Sequence, residues 1–433
     1  MTQFTRRKFI QLVGAGSATA ALSACSTSPS VHTGRYGRKV VIIGGGPGGA
    51  TAAKYLKRFG HDIDVTLIEP KATYHTCFGS NWVLGGLAQM SDIAQTYGAL
   101  QDRYGIRVIA DTATGIDTTN NTVTLASGET VSFEKLVVSP GISMRWDSAE
   151  GYSAEVAETR MPHAWQAGPQ TKLLRRQLEA MPNGGTFIIV APGNPFRCPP
   201  GPYERASMAA HYFKRFKPRS KVLILDNKEA FSKQGLFMAG WKELYGDMIE
   251  WVPSSEGGQV ERVDAQKMTV YSDGGFNEFK GDVINFIPRQ QAGAIARYTG
   301  LTNDTGWCPV NQQTFASSTH EHVYVIGDAS IAGAMPKSGH SANTQGKLVA
   351  AAIVRSLDGD DPVAPSLTNT CYSLLAPDYG ITVAAVYRFS DGSIKGVQGA
   401  GGVSPADASR EFRTQEANYA RGWYAAITSD SWG

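Results

Sequence analysis

Beyond residue 37, short apolar runs rich in β-branched residues alternate with longer amphipathic stretches, the rhythm of an α/β sheet protein. In "RKVVIIGGGPGGATAAKYLKRFG" the run Val40 to Ile43 predicts a buried strand, and the residues around and after Gly49 predict a helix that stops at Gly60. "DVTLIEP" predicts the next strand, ending in Glu69. From residue 106 to 141, "IRVIADTATGIDTTNNTVTLASGETVSFEKLVVSPG" predicts short strands with turns at Asn120-Asn121 and Ser127-Gly128. A second strand, helix and strand follow at Thr186 to Val190, Tyr203 to Phe216 and "KVLILD", which ends in Asp226. Later, "HVYVIGDASIAGAMPKSGHSANTQGKLVAAAIV" predicts a strand that delivers Gly327 and Asp328 to a helix start. The tail "SPADASREFRTQEANYARGWYAAITSDSWG" opens with a Ser-Pro helix start and sets Phe412, Tyr419, Trp423 and Ile427 at roughly helical spacing. That stripe is interrupted by Glu416 and flanked by polar residues, so it suits packing or a protein partner better than lipid.

The length of 433 residues allows about three domains. A composition of 42% hydrophobic and 18% charged residues is that of a globular protein, and the 48 glycines call for many tight turns. The formal charge of +3 comes from Arg6, Arg7 and Lys8; without the first 24 residues it is zero. A neutral chain with no basic run argues against a nucleic-acid partner. "TRRKFIQLVGAGSATAALSAC" places paired arginines before an apolar run that stops at small residues, and it resembles a twin-arginine export signal. The run from Phe9 to Ala24 falls short of the ~20 apolar residues that span a bilayer, so no transmembrane segment is expected. "LSAC" also resembles a lipoprotein cleavage site with Cys25 as the lipidated residue, while "ATA" at Ala18 to Ala20 offers an ordinary one. The expected location is the periplasm, where disulfides persist.

Gly44, Gly46 and Gly49 stand in G-x-G-x-x-G spacing between strand and helix. The first makes the tight turn, the second lets backbone amides approach a pyrophosphate, and the third lets the helix pack on the strand. Glu69, ending the second strand, is placed to accept hydrogen bonds from a ribose. The downstream Gly327-Asp328 pair makes FAD the expected nucleotide, with the aspartate on the ribityl hydroxyls. Together these motifs resemble the two-dinucleotide-binding-domain flavoproteins of the glutathione reductase class. The expected fold is therefore α/β, with two Rossmann-like domains and a small C-terminal α+β domain. The expected boundaries are 1–36 for the signal and linker, 37–149 and 284–358 for the FAD domain, 150–283 for the second Rossmann-like domain, and 359–433 for the C-terminal domain.

The second unit keeps the strands and helix of a nicotinamide domain but not its loop. "APGNPFRCPPGP" lacks the glycine fingerprint, and its five prolines remove N–H donors that a pyrophosphate would need, so NAD(P)H is not expected to bind.

Apart from Cys25, four cysteines remain, and they allow three pairings. "YHTCFGSNWVLGG", "FRCPPGPYERAS", "GLTNDTGWCPV", "GDASIAGAMPKSGHSANTQGK" and "NTCYSLLAPDYGI" together resemble the flavoprotein subunits of flavocytochrome c sulfide dehydrogenases, from about residue 37 to the C-terminus. The resemblance implies that Cys77 carries the flavin through an 8α-S-cysteinyl thioether and that Cys198 and Cys371 form a redox-active disulfide beside it. It leaves Cys308 as a small buried side chain. Lys337 is expected to place positive charge near the flavin, and Glu204, six residues after Cys198, is a candidate proton acceptor. His75 and His340 depart from the family pattern where an aromatic residue and a tyrosine are expected.

The resemblance implies oxidation of sulfide: HS⁻ attacks the disulfide, leaving a persulfide on one cysteine and a thiolate on the other, and the electrons pass to the flavin. No metal site is expected. With no C-x-x-C-H haem site in the chain, a c-type cytochrome subunit is the expected acceptor. A sulfide:quinone oxidoreductase is the alternative, and a flavin-binding assembly factor without turnover is a third reading.

Overall fold

In this computed structural model, which describes residues 38–433, the two parallel sheets are built from the apolar runs. The stretch that resembles an export signal, and Cys25, lie outside the described residues. Strand β1 (Arg38–Ile43) buries Val40 to Ile43 without alternation, as a strand covered on both faces must. Helix α1 (Pro47–Phe59) begins with a proline in its first turn, where a missing N–H costs nothing. It lies close against the strand because a Cβ at Gly49 would stand 1.9 Å from the Gly44 carbonyl oxygen. Strands β2 (Ile63–Ile68), β3 (Arg107–Ile109) and β4 (Lys135–Val138) complete the first pass through this sheet.

After β4 the chain crosses to a second parallel sheet. It contains β5 (Thr186–Ala191), helix α2 (Gly201–Phe216), β6 (Lys221–Asp226), helix α3 (Gln234–Tyr245), β7 (Ile249–Val252) and β8 (Val283–Phe286). Its strand order is β7-β6-β5-β8. Because β8 belongs to this sheet, the second domain closes slightly later than the boundary expected at 283. The chain then returns with β9 (Val323–Val325), giving the first sheet the order β9-β4-β1-β2-β3, and helix α4 (Gly339–Asp358) packs on α1. Ile142–Met144 pairs with Gln290–Ala292, tying the outgoing crossover to the returning one.

The C-terminal part is an antiparallel meander, β10 (Ser366–Ala376), β11 (Tyr379–Ser390) and β12 (Ser393–Val403), closed by helix α5 (Arg410–Trp432). The helix does not start at the Ser404-Pro405 signal. Ser409 caps it instead, its Oγ accepting from the amide of Phe412 at 3.3 Å, and the Ser404 hydroxyl bonds the carboxylate of Glu416. The expected stripe is redistributed as well: Phe412 and Tyr419 are exposed, whereas Glu416 is buried in an ion pair with Arg413. Backbone approach explains this. A Cβ at Gly380 would meet the Ala417 nitrogen at 2.5 Å, so the docked face of α5 is made of Ala417 and Ala420. No described helix is long and apolar enough to cross a membrane.

Candidate active site

A cavity of ≈ 560 Å³ runs along the carboxyl edge of the first sheet, where ligands bind in open α/β proteins. Gly44, Gly46, Glu69, Cys77, Gly327 and Asp328 all line it. Gly49 does not; it serves the contact between helix and strand. Glu69 accepts from the amide of Gly45 at 2.9 Å and from that of Lys71 at 3.1 Å, so one carboxylate both shapes the glycine turn and faces the cavity. Gly46 caps α1 with no side-chain bond, leaving the first amides of the helix open to an anion. Asp328 is half-buried, its shielded Oδ1 has no hydrogen-bond partner, and its Oδ2 stands 3.9 Å from Nη1 of Arg197. Burial pushes the carboxyl pKa up, with Arg197 and then Lys337 opposing. A buried carboxylate oxygen without a donor fits the hydroxyls of a ribityl chain. Open helix amides, the ribose acid and the orphaned carboxylate thus fit FAD along one cavity.

Cys77 lies on a short turn, Cys77–Gly79, after the two-residue strand Tyr74–His75. Its neighbour Thr76 is pinned by the hydroxyl of Tyr424 at 2.7 Å, a contact made by α5. Burial raises the pKa of the Cys77 thiol and Arg197 opposes the rise. His75 lines the cavity and is driven toward its neutral form, first by burial and then by Lys172 and Lys71.

Cys77 also lines a second, smaller cavity, and there it meets Cys198, Cys371 and Glu204. Cys198 sits on the loop between β5 and α2 in a left-handed conformation, φ +58°, an uncommon state for a residue with a side chain. Two bonds hold it: its amide donates to the Lys337 carbonyl at 2.8 Å, and its carbonyl accepts from Gly201 at 2.8 Å. Cys371 arrives on β10, in the C-terminal meander. All four described cysteines are free thiols in the structure. Burial raises the pKa of both cavity thiols. At Cys198 the neighbouring Cys371 and Glu204 add to the rise, whereas at Cys371 Lys233 opposes it.

Glu204, in the first turn of α2, is buried rather than solvated. Its oxygens accept from the Asn81 side chain and the Leu374 amide, each at 2.9 Å. Burial raises its pKa against those two bonds. Lys337 is placed differently from expectation. Its ammonium donates to the carbonyls of Asp328 (2.7 Å) and Ser330 (2.9 Å) and lies over the Trp307 ring, so it braces the loop and lines neither cavity. The cation that lines both cavities is Arg197. Cys308 is fully buried in a two-residue strand, its thiol pushed up to about 12 by burial.

A family model described as "Sulfide dehydrogenase [flavocytochrome c] flavoprotein chain, central" matches residues 171–288, and one described as "Flavocytochrome c sulphide dehydrogenase, flavin-binding" matches residues 363–432. The flavoprotein chain of sulfide dehydrogenase from Chlorobaculum thiosulfatiphilum is 52% identical over 46 residues, which are 11% of this chain and 96% of that one. The chain is thus a homologue of the flavocytochrome c sulfide dehydrogenase flavoprotein chain across its central and C-terminal parts. Residues 38–171 match the broader pyridine nucleotide-disulphide oxidoreductase model. A sulfide-quinone reductase of Aquifex aeolicus is 24% identical over 80% of this chain and 83% of its own length. The crystal structure of the sulfide:quinone oxidoreductase from that organism superposes with a TM-score of 0.71 at 19% identity, covering 91% of this chain and 92% of that one, which shows a shared fold.

In this chain β6 of the second sheet also ends in an acid, Asp226, at the place where a nicotinamide domain binds ribose. It is fully buried and already occupied, accepting from the Tyr203 hydroxyl at 2.5 Å and from Nε1 of Trp251 at 2.9 Å, with Lys228 beside it. The adjoining pocket of ≈ 310 Å³ is lined by Asp147, Glu150 and Glu261 against a single cation, Arg289.

Proposed function

We propose that this chain oxidises sulfide at the Cys198–Cys371 pair and delivers the electrons to FAD tethered by Cys77. The observation that carries the reading is that cysteines from three parts of the chain line one small cavity, and that this cavity shares Cys77, Arg197, Ser338 and Gly339 with the flavin cavity. In the oxidised enzyme the pair is a disulfide. HS⁻ attacks one of its sulfurs, a new S–S bond forms, the bond between the cysteines breaks, and one cysteine leaves as a thiolate while the other carries the persulfide. FAD, when bound, accepts the electron pair released as the sulfur is oxidised. Asn81 and Leu374 fix the carboxylate of Glu204 at the cavity wall, where its raised pKa suits it to take the proton of the attacking sulfide. Trp165, Phe78 and Trp423 line the same cavity and limit water.

Cys198→Ser and Cys371→Ser test this reading. Each should abolish flavin reduction by sulfide while dithionite still bleaches the flavin; normal sulfide rates in both variants would make the pair structural.

The acceptor we propose is a c-type cytochrome subunit, reached in the periplasm after twin-arginine export. The match to the flavocytochrome c family supports the partner, and the occupied Asp226 with its acidic pocket speaks against NAD(P)H. The similarity to a sulfide-quinone reductase favours a second reading, in which quinone is the acceptor. Rapid reduction of a c-type cytochrome from the same source, with slow turnover of a water-soluble quinone, supports the first. The reverse ranking supports the second.

A further inference from the structure

Lys233 is a buried ammonium with no carboxylate in salt-bridge contact. Its Nζ donates to the carbonyl of Cys371 at 3.0 Å, to Oγ of Ser373 at 2.8 Å and to the carbonyl of Ile381 at 3.4 Å. All three acceptors are neutral, and among the described residues no carboxylate oxygen lies within 4.0 Å of it. A buried charge left unpaired is costly, and proteins ordinarily neutralise or pair it. Here it is kept at a position that also forces a lysine into left-handed backbone, φ +61°, just before α3. The groups around it explain what would balance the charge. Burial lowers its pKa to about 8, and the opposing influences come first from Cys371, then from Glu204 and Cys198, with Glu416 last.

We propose that Lys233 is the counter-cation of a negatively charged sulfur on Cys371, the charge that appears each time the cysteine pair opens. The proposal rests on the pair being redox-active, as argued above. While the disulfide is closed, residue 371 is neutral and the ammonium has no anion in salt-bridge contact. Breaking the S–S bond leaves a thiolate or a persulfide at that residue, and the charge is then matched through a backbone that the ammonium already holds. Lys233 exchanges no atom with sulfide, so it is a positioning residue that acts through Cys371.

The surroundings of the two sulfurs give a directional consequence. Cys371 faces Lys233 as a cation, Asn369 and Ser338 as hydrogen-bond partners, Glu204 as an anion, and Tyr387 across the sheet. Cys198 faces Glu204, Cys77 and Cys371, with Arg197 as its cation. The Asn369 side-chain amide donates to the sulfur of Cys371 at 3.5 Å and Lys233 holds its carbonyl, so Cys371 is expected to ionise first.

The test uses the reduced, FAD-loaded full chain, alkylated with iodoacetamide across a range of pH and read peptide by peptide by mass spectrometry. In the wild type the alkylation midpoint of Cys371 should lie below that of Cys198, a comparison that needs no variant to fold. Lys233→Met should raise the Cys371 midpoint by about 1–3 pH units and move Cys198 less, while Lys233→Arg, which keeps the charge, should restore it. A wild-type Cys371 midpoint at or above that of Cys198, or one that does not move in Lys233→Met, overturns the proposal. Sulfide is absent from this measurement. Failure of the redox reading would appear separately, as sulfide turnover surviving in Cys198→Ser and Cys371→Ser.

Discussion

Arg197 is the side chain that faces the cysteine pair on one side and the flavin cavity on the other, and its buried guanidinium stands 3.9 Å from the carboxylate of Asp328. A cation there favours a negatively charged reduced flavin. Arg197→Met should lower the flavin midpoint potential by about 30 mV or more, the two-electron equivalent of ~1.4 kcal/mol, and Arg197→Lys by less; an unchanged potential would place the controlling charge elsewhere. At Cys77, acid denaturation should leave FAD attached to the wild-type chain and release it from Cys77→Ala, read as flavin in pellet or supernatant. The glycine fingerprint and the acids at 69 and 328 were legible from residue type and local spacing, whereas the three cavity cysteines were singled out by the resemblance to a family. Arg197 and Lys233 were legible in neither way. A lone cation beside a cysteine or in the apolar window "AFSKQGLFMAGW" reads as a solvated charge until the tertiary fold buries it.

At the scale of elements, α5 closes the site from outside. Trp432 is buried, stacks on Tyr74 and donates from Nε1 to the Gly45 carbonyl at 3.1 Å, so the last turn of α5 holds the nucleotide-binding turn between the end of β1 and the start of α1. Trp432→Ala should cost about 3–5 kcal/mol, as buried tryptophan truncations do, and in a Cys77→Ala background it should also speed FAD release. Denaturant melts and flavin dissociation rates check both. A variant that melts normally would show that the helix end is not needed to hold the turn. The position of this helix could not be read from its apolar spacing. Its docked face is set by close backbone approach at Gly380, which favours Ala417 and Ala420 over the larger residues that the periodic stripe singled out.

For the whole molecule, the shared lining of the two cavities sets the cysteine pair against the larger cavity along the first sheet, and the same packing sets a pH dependence. His163 is buried, its Nδ1 accepts from the Trp165 amide at 2.9 Å, and burial, then Arg205 and Arg197, lower its pKa to about 3. A folded pKa below the unfolded value of ~6.5 means that the unfolded chain binds the proton more readily. Stability from this group is therefore full above about pH 6.5 and is lost as pH falls toward 3, by at most about 5 kcal/mol. His163→Gln should flatten that part of the stability curve; an unchanged slope would assign acid sensitivity to other groups. The central claim, that sulfide and not NAD(P)H feeds this flavin through the cysteine pair, is tested most directly by an anaerobic titration of the purified FAD-loaded chain while the flavin spectrum is followed. Near-stoichiometric sulfide should bleach the flavin, and NADH or NADPH at millimolar levels should leave it oxidised. Bleaching by a nicotinamide, with none by sulfide, would contradict the account.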